Sequence, residues 1–223
     1  MTVLEKAFQE KAALALVMLV GFLLLDPLIP GAFANLSFAV IGVAGAWLLS
    51  EKKSLSRRVI QVSISAIVVL VSFAAFLPEA LRESNRVSIG LSLLTFTVIL
   101  YTYCASLILS ALLRAKKFTH HLIVSAVNLY IILGIFWAHL YTILDWFHPE
   151  AFALNLQDRE SASHFIYFSF VTLASLGYGD ITPKTEFAQR LAIIEAIVGQ
   201  FYGSVVVAYL LSIVIGTKIP RGR

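Results

Sequence analysis

Charge is scarce in this sequence: 13% of its 223 residues are Asp, Glu, Lys or Arg, while 59% are hydrophobic. That balance is more apolar than an ordinary soluble domain supports, so the chain is expected in a bilayer. Cysteine is almost absent too. The single one, Cys104, excludes an intrachain disulfide and lies inside an apolar segment, where a small buried filler is expected. Histidines are few and dispersed. His120 and His121 are adjacent and diverge on a helix, His139 stands alone, and His148 and His164 lie apart from them, which excludes a metal site of local spacing. No nucleophile triad, carboxylate pair or phosphate loop occurs, so no enzyme is expected, and there is no coiled coil or low-complexity tract.

Long apolar runs are what the sequence does have. A spanning helix needs roughly 20 mainly apolar residues, and six segments approach or exceed that length: about Ala12 to Leu25, Phe33 to Ser50, Val59 to Leu77, Val87 to Leu113, Leu122 to Leu144 and Phe187 to Gly216. The net charge of +4 is not a nucleic-acid face, because the cations alternate by loop as the positive-inside rule describes. Lys52, Lys53, Arg57 and Arg58 follow the second segment, Arg114, Lys116 and Lys117 the fourth, and Lys218, Arg221 and Arg223 the sixth. The alternate loops carry Asp26, Glu79, Glu83, Asp145, Glu150, Asp158 and Glu160 without a comparable basic excess. Both termini are therefore expected in the cytoplasm of a multi-pass protein of the cell (plasma or inner) membrane. An alternative stays open at the amino terminus, where an apolar run followed by Ala32-Phe33-Ala34 has the form of a cleaved signal peptide. Glu5 and Glu10, which cancel Lys6 and Lys11, and Asp26-Pro27 speak against it.

The first four segments, joined by short polar turns, read as a helical bundle in lipid. Arg114 to His121 is a basic stretch suited to a short helix along the membrane surface. The expected division is a bundle over 1–114 and a second unit over 115–223. In the second unit the order is span, polar loop, short apolar helix, glycine-rich loop, span. The short helix, expected over Ser161 to Ala174, is about 21 Å long and enters a bilayer without crossing it. Non-helical backbone directly after it, at membrane depth, is tolerated only where protein encloses it or water fills its path. The sequence itself thus points to a re-entrant pore loop.

The stretch Phe168-Ser169-Phe170-Val171-Thr172-Leu173-Ala174-Ser175-Leu176-Gly177-Tyr178-Gly179-Asp180-Ile181-Thr182-Pro183 resembles the pore signature of potassium channels. The likeness is close from about Leu122 to Gly216; over the first half it extends to the number and spacing of spans, as in six-span channel subunits. It implies an all-α membrane protein, six transmembrane helices plus a re-entrant pore helix and selectivity-filter loop, working as a homotetramer among membrane lipids. Potassium ions would be the permeant ligand, with no other cofactor, no nucleic acid and no small-molecule substrate. Ser175, Leu176, Gly177, Tyr178 and Gly179 would form the filter, with ions held at Ser175 through Tyr178. Gly177 and Gly179 adopt positive φ at little cost. Alternated with Leu176 and Tyr178 they turn successive carbonyls to one side, and four such loops stack into oxygen rings that replace a hydration shell. The usual innermost threonine and the valine after it are here Ser175 and Leu176, and Ala174 precedes them. Serine keeps the hydroxyl but not the branched methyl, so selectivity is expected to persist and filter rigidity is in question.

Asp180 stands where the family has an outer-mouth carboxylate and Tyr167 where an aromatic hydrogen-bonds to it; a turn-forming aspartate before Ile181-Thr182-Pro183 is the plain alternative, and compatible. Glu195, the one acid inside a span, reads as a carboxyl hydrogen-bonded behind the filter or as a direct ligand. Gly199 and Gly203 match a gating hinge, or else close packing along a small-residue stripe with Ala188, Ala192 and Ala196. Nothing charged lies between Val87 and Leu113, where a voltage sensor would carry repeated Arg or Lys, so the bundle is not expected to act as one. With the sequence ending at Arg223, gating is expected without a cytoplasmic ligand-binding ring. Two rival readings remain: a poorly selective monovalent cation channel, and a non-conducting scaffold or accessory subunit with a channel fold.

Overall fold

The computed structural model describes residues 13–21, 23–24, 95, 97–110, 112–115, 120–153 and 163–218. In chain order these form helix α1 (13–21), α2 (Thr97–Ser110), α3 (His120–Phe147), strand β1 (Phe152–Ala153), helix α4 (Ser163–Leu173), strand β2 (Thr182–Pro183) and helix α5 (Glu186–Lys218). The 28 residues of α3 and 33 of α5 correspond to about 42 and 50 Å at 1.5 Å per residue. Both are long and apolar enough to cross a membrane. The 11 residues of α4 reach only about 16 Å. Among the described residues two helices meet that condition, which does not by itself support the six spans expected from the sequence. The segments expected over 33–50 and 59–77, the supposed cleavage site and most of the basic loops lie outside the described residues. The limits also differ: α3 extends beyond Leu122 and Leu144 at both ends, α5 begins at Glu186, and α4 is helical only to Leu173, with Ala174 in the turn that closes it.

Local chemistry explains the ends. Thr185 caps α5, its Oγ1 accepting from the Ala188 backbone N–H at 3.3 Å, and Glu186 places an acid in the positive first turn. At the end of α4, the Leu176 N–H bonds to the Val171 carbonyl at 2.8 Å and the Ser175 N–H to the Thr172 carbonyl at 2.9 Å. That pair of bonds is a Schellman cap, whose penultimate residue takes a left-handed conformation; here it is Ser175, with φ 57.

Two apolar clusters hold the elements together. In one, Leu19 of α1 and Leu100, Tyr101, Cys104 and Ile108 of α2 pack on Leu129 and Ile132 of α3, so the described part of the first half shares a core with the second. In the other, Tyr141 of α3 meets Phe168 of α4 edge-on at 5.0 Å and Phe152 of β1 at 5.5 Å, while Phe152 meets Phe165 at 4.9 Å. Such pairs add about 0.5–1.5 kcal/mol each beyond their buried area. Close approach of α4 to α3 depends on Gly134, where a β-carbon would lie 2.6 Å from the Phe170 ring. β1 pairs antiparallel with β2, Phe152 opposite Pro183 and Ala153 opposite Thr182, fastening the α3–α4 connection to the segment that follows α4. The two long helices differ in cover: 67% of the apolar window of α3 is buried within the chain, but only 11% of that of α5.

Candidate functional site

Residues 174–181 run in open backbone between α4 and β2, with φ positive at Ser175 (57), Gly177 (60) and Gly179 (82). Every second residue is therefore left-handed, and Leu176 and Tyr178 between them are not. The sequence foresees the two glycines but not Ser175, whose conformation follows from the cap of α4. A left-handed L-residue costs roughly 1–2 kcal/mol, offset here by the two capping hydrogen bonds. No atom lies within 4 Å of a β-carbon built at Gly177 or Gly179, so backbone conformation rather than crowding favours glycine at both. Leu176 and Tyr178 are 57% and 66% exposed in the single chain, which leaves the loop unpacked on its outer sides.

At the far end of the loop the Tyr167 hydroxyl donates to Asp180 Oδ2 at 2.6 Å, and Asp180 Oδ1 accepts from the Ile181 N–H at 3.1 Å. The aspartate thus serves the turn and the tyrosine together. The Tyr167 hydroxyl holds the Asp180 carboxyl below its ordinary value of 3.8. Tyr178 stacks over Tyr167 with ring centres 6.4 Å apart and planes 13° from parallel. One side chain of α4 therefore meets both a loop aromatic and the carboxylate that ends the loop.

Glu195 lies behind α4, fully buried. Tyr141 of α3 donates to its Oε2 and Ser169 of α4 to its Oε1, both at 2.5 Å, and Ser169 Oγ is also 2.7 Å from the Gly134 carbonyl. One carboxyl therefore joins all three helices that frame the loop. Gly199 sits where a β-carbon would be 2.0 Å from the Leu173 carbonyl oxygen, so α5 presses its backbone on the end of α4 there; at Gly203 nothing lies within 4 Å. The two glycines are thus in different surroundings within the chain. The sequence reading does not single out Tyr141, Ser169 or Gln200, whose Nε2 donates to Ser175 Oγ at 2.9 Å. Their one local signal is polarity within apolar helices, which in a bilayer marks groups that have partners.

A short helix ends in an alternating left-handed loop and is held between two long apolar helices. Residues 126–215 match the family model described as ion channel. The match takes in α4, the loop and most of α3 and α5, and none of the residues before Ala126. It supports an ion channel in the membrane and carries no support for a six-span, voltage-gated-like subunit. No curated protein matches the chain, and no solved structure does.

Proposed function

We propose that the chain is one subunit of a homotetrameric, potassium-selective channel, a passive conduit whose filter is Ser175, Leu176, Gly177, Tyr178 and Gly179. The observation that carries this reading is the left-handed conformation at 175, 177 and 179. Alternation of hand along five residues directs successive carbonyls to one side, the arrangement that lets oxygen rings substitute for the water around a cation. One chain has one such loop, so closing the rings takes several chains, four in our reading. The sparse cover of α5, with Ile193, Ile197, Phe201 and Val205 exposed, supports assembly through that helix. The negative end of the α4 dipole, directed to the inner end of the loop, favours a cation there. Asp180 and Tyr167 brace the outer mouth, and Glu195 frames the filter from behind rather than touching ions. In the same reading the bundle over 1–114 completes six spans in a cell membrane with both termini cytoplasmic, and 115–223 is the pore domain.

The test is potassium flux through purified protein in liposomes, with reversal potentials in opposed potassium and sodium gradients. A potassium-selective reversal is expected. Gly177→Ala puts a methyl where φ is 60, a penalty of roughly 1–2 kcal/mol in each subunit, and should abolish conduction while the tetramer still forms. An assembled Gly177→Ala variant that conducts with unchanged selectivity would move the ion path elsewhere. A reversal potential that ignores the potassium gradient would favour a poorly selective pore, and absence of flux a scaffold.

A further inference from the structure

Ser175 is held from two sides. Its backbone is the left-handed residue of the cap of α4, fixed by N–H bonds to the Thr172 and Val171 carbonyls around it. Its side chain accepts from Gln200 Nε2, on α5, at 2.9 Å. The preceding residue, Gly199, makes this reach short, because α5 lies so close to the Leu173 carbonyl there that no β-carbon fits. A serine hydroxyl has one hydrogen and two acceptor lone pairs, and otherwise turns among staggered rotamers. A β-branched residue would be stiff about the same bond; serine is not. With one lone pair occupied by the Gln200 amide, the side-chain rotamer is held, and the hydrogen and the second lone pair share the two remaining directions.

We infer that Gln200 is a positioning residue for the innermost ion site: its amide orients the Ser175 hydroxyl and so sets how tightly that ring of ligands holds a cation. The inference rests on the pore reading above and deepens it. The stiffness that a branched side chain would supply within the filter comes instead from α5. Any shift of that helix near Gly199 would alter the site directly.

The experiment is single-channel recording of the full chain in planar bilayers, with barium, a divalent cation close to potassium in size, applied from each side as a probe of the innermost site. Gln200→Met, which keeps length but cannot donate, should raise the half-blocking barium concentration about three- to tenfold, the range of one lost hydrogen bond. The potassium-over-sodium reversal potential should not move, since the carbonyl rings are untouched. In a Ser175→Thr background, where the branched methyl itself restrains the hydroxyl, the same Gln200→Met change should have less than half that effect on a logarithmic scale. A merely structural Gln200 would do equal harm in both backgrounds, and that equality would overturn the inference. If Gln200→Met fails to assemble, Gln200→Asn, one methylene too short to reach, takes its place in the same comparison. A wild-type chain that passes no potassium sinks the pore reading and this inference with it. A conducting wild type with unchanged barium block in the glutamine variant sinks the inference alone.

Discussion

Ser169 has one hydroxyl hydrogen and two oxygens in reach, Glu195 Oε1 and the Gly134 carbonyl, so it cannot donate fully to both. A glutamine at 195 resolves this. Its carbonyl oxygen can accept from Tyr141, and its amide can donate to Ser169, which then donates to Gly134. Glu195→Gln should therefore leave assembly and thermal stability close to wild type. Glu195→Ala removes the partner of the fully buried Tyr141 hydroxyl and costs about 1–3 kcal/mol for that group alone. The check is the melting midpoint of the detergent-solubilised oligomer. If glutamine proves as damaging as alanine, the carboxylate charge rather than the hydrogen-bond frame is what the site needs.

At the scale of elements, α5 is tied to its neighbours by two tyrosines on one face. Tyr202 donates to the Ala126 carbonyl of α3 at 2.5 Å, and the Tyr209 hydroxyl lies 3.0, 3.3 and 3.2 Å from the carbonyls of Leu112, Leu113 and Ala115 just beyond α2. Those carbonyls belong to a helix end, where intrahelical donors run out. Tyr209→Phe keeps the ring and removes the donor, so stability should fall by about 0.5–1.5 kcal/mol. Proteolysis after Arg114 should quicken in parallel, and limited digestion of both proteins decides it; equal cleavage rates would mean that the tyrosine does not hold the end of α2. These ties also mark where the sequence stops being legible. The short helix, the glycine loop and the flanking long helices can be read from it because length, apolarity and glycine spacing are local properties. Tyr209 and Leu112 are 97 positions apart, and no period or motif announces such a contact. Ser175 is half legible: its hydroxyl can be read from the sequence, but its left-handed backbone depends on where α4 stops, which the capping hydrogen bonds decide. Glu195 declared itself by being an acid in an apolar span, whereas its partners Tyr141 and Ser169, ordinary in such helices, did not.

For the whole molecule, the described part of the first half bears on the proposed pore through α2. Its helix α2 packs Tyr101, Cys104 and Ile108 into a core shared with α3, and Thr97–Ser110 contains no Asp, Glu, Lys or Arg. The uncharged run extends in the sequence from Val87 to Leu113. A charge moved across 100 mV is worth about 2.3 kcal/mol, and sensors reach tens of kcal/mol by carrying several charges in each of four subunits. A helix with none acquires no such bias, however firmly Tyr209 and the shared core couple it to α5. A contact that would transmit movement is present between the end of α2 and α5, and α2 itself carries no charge to start it. Open probability measured between about −100 and +100 mV should therefore fit an effective valence below about one elementary charge. A steep sigmoid equivalent to several charges would require charge movement outside α2, and the first place to look would be the ions within the filter, which Gln200→Met would then shift along the voltage axis.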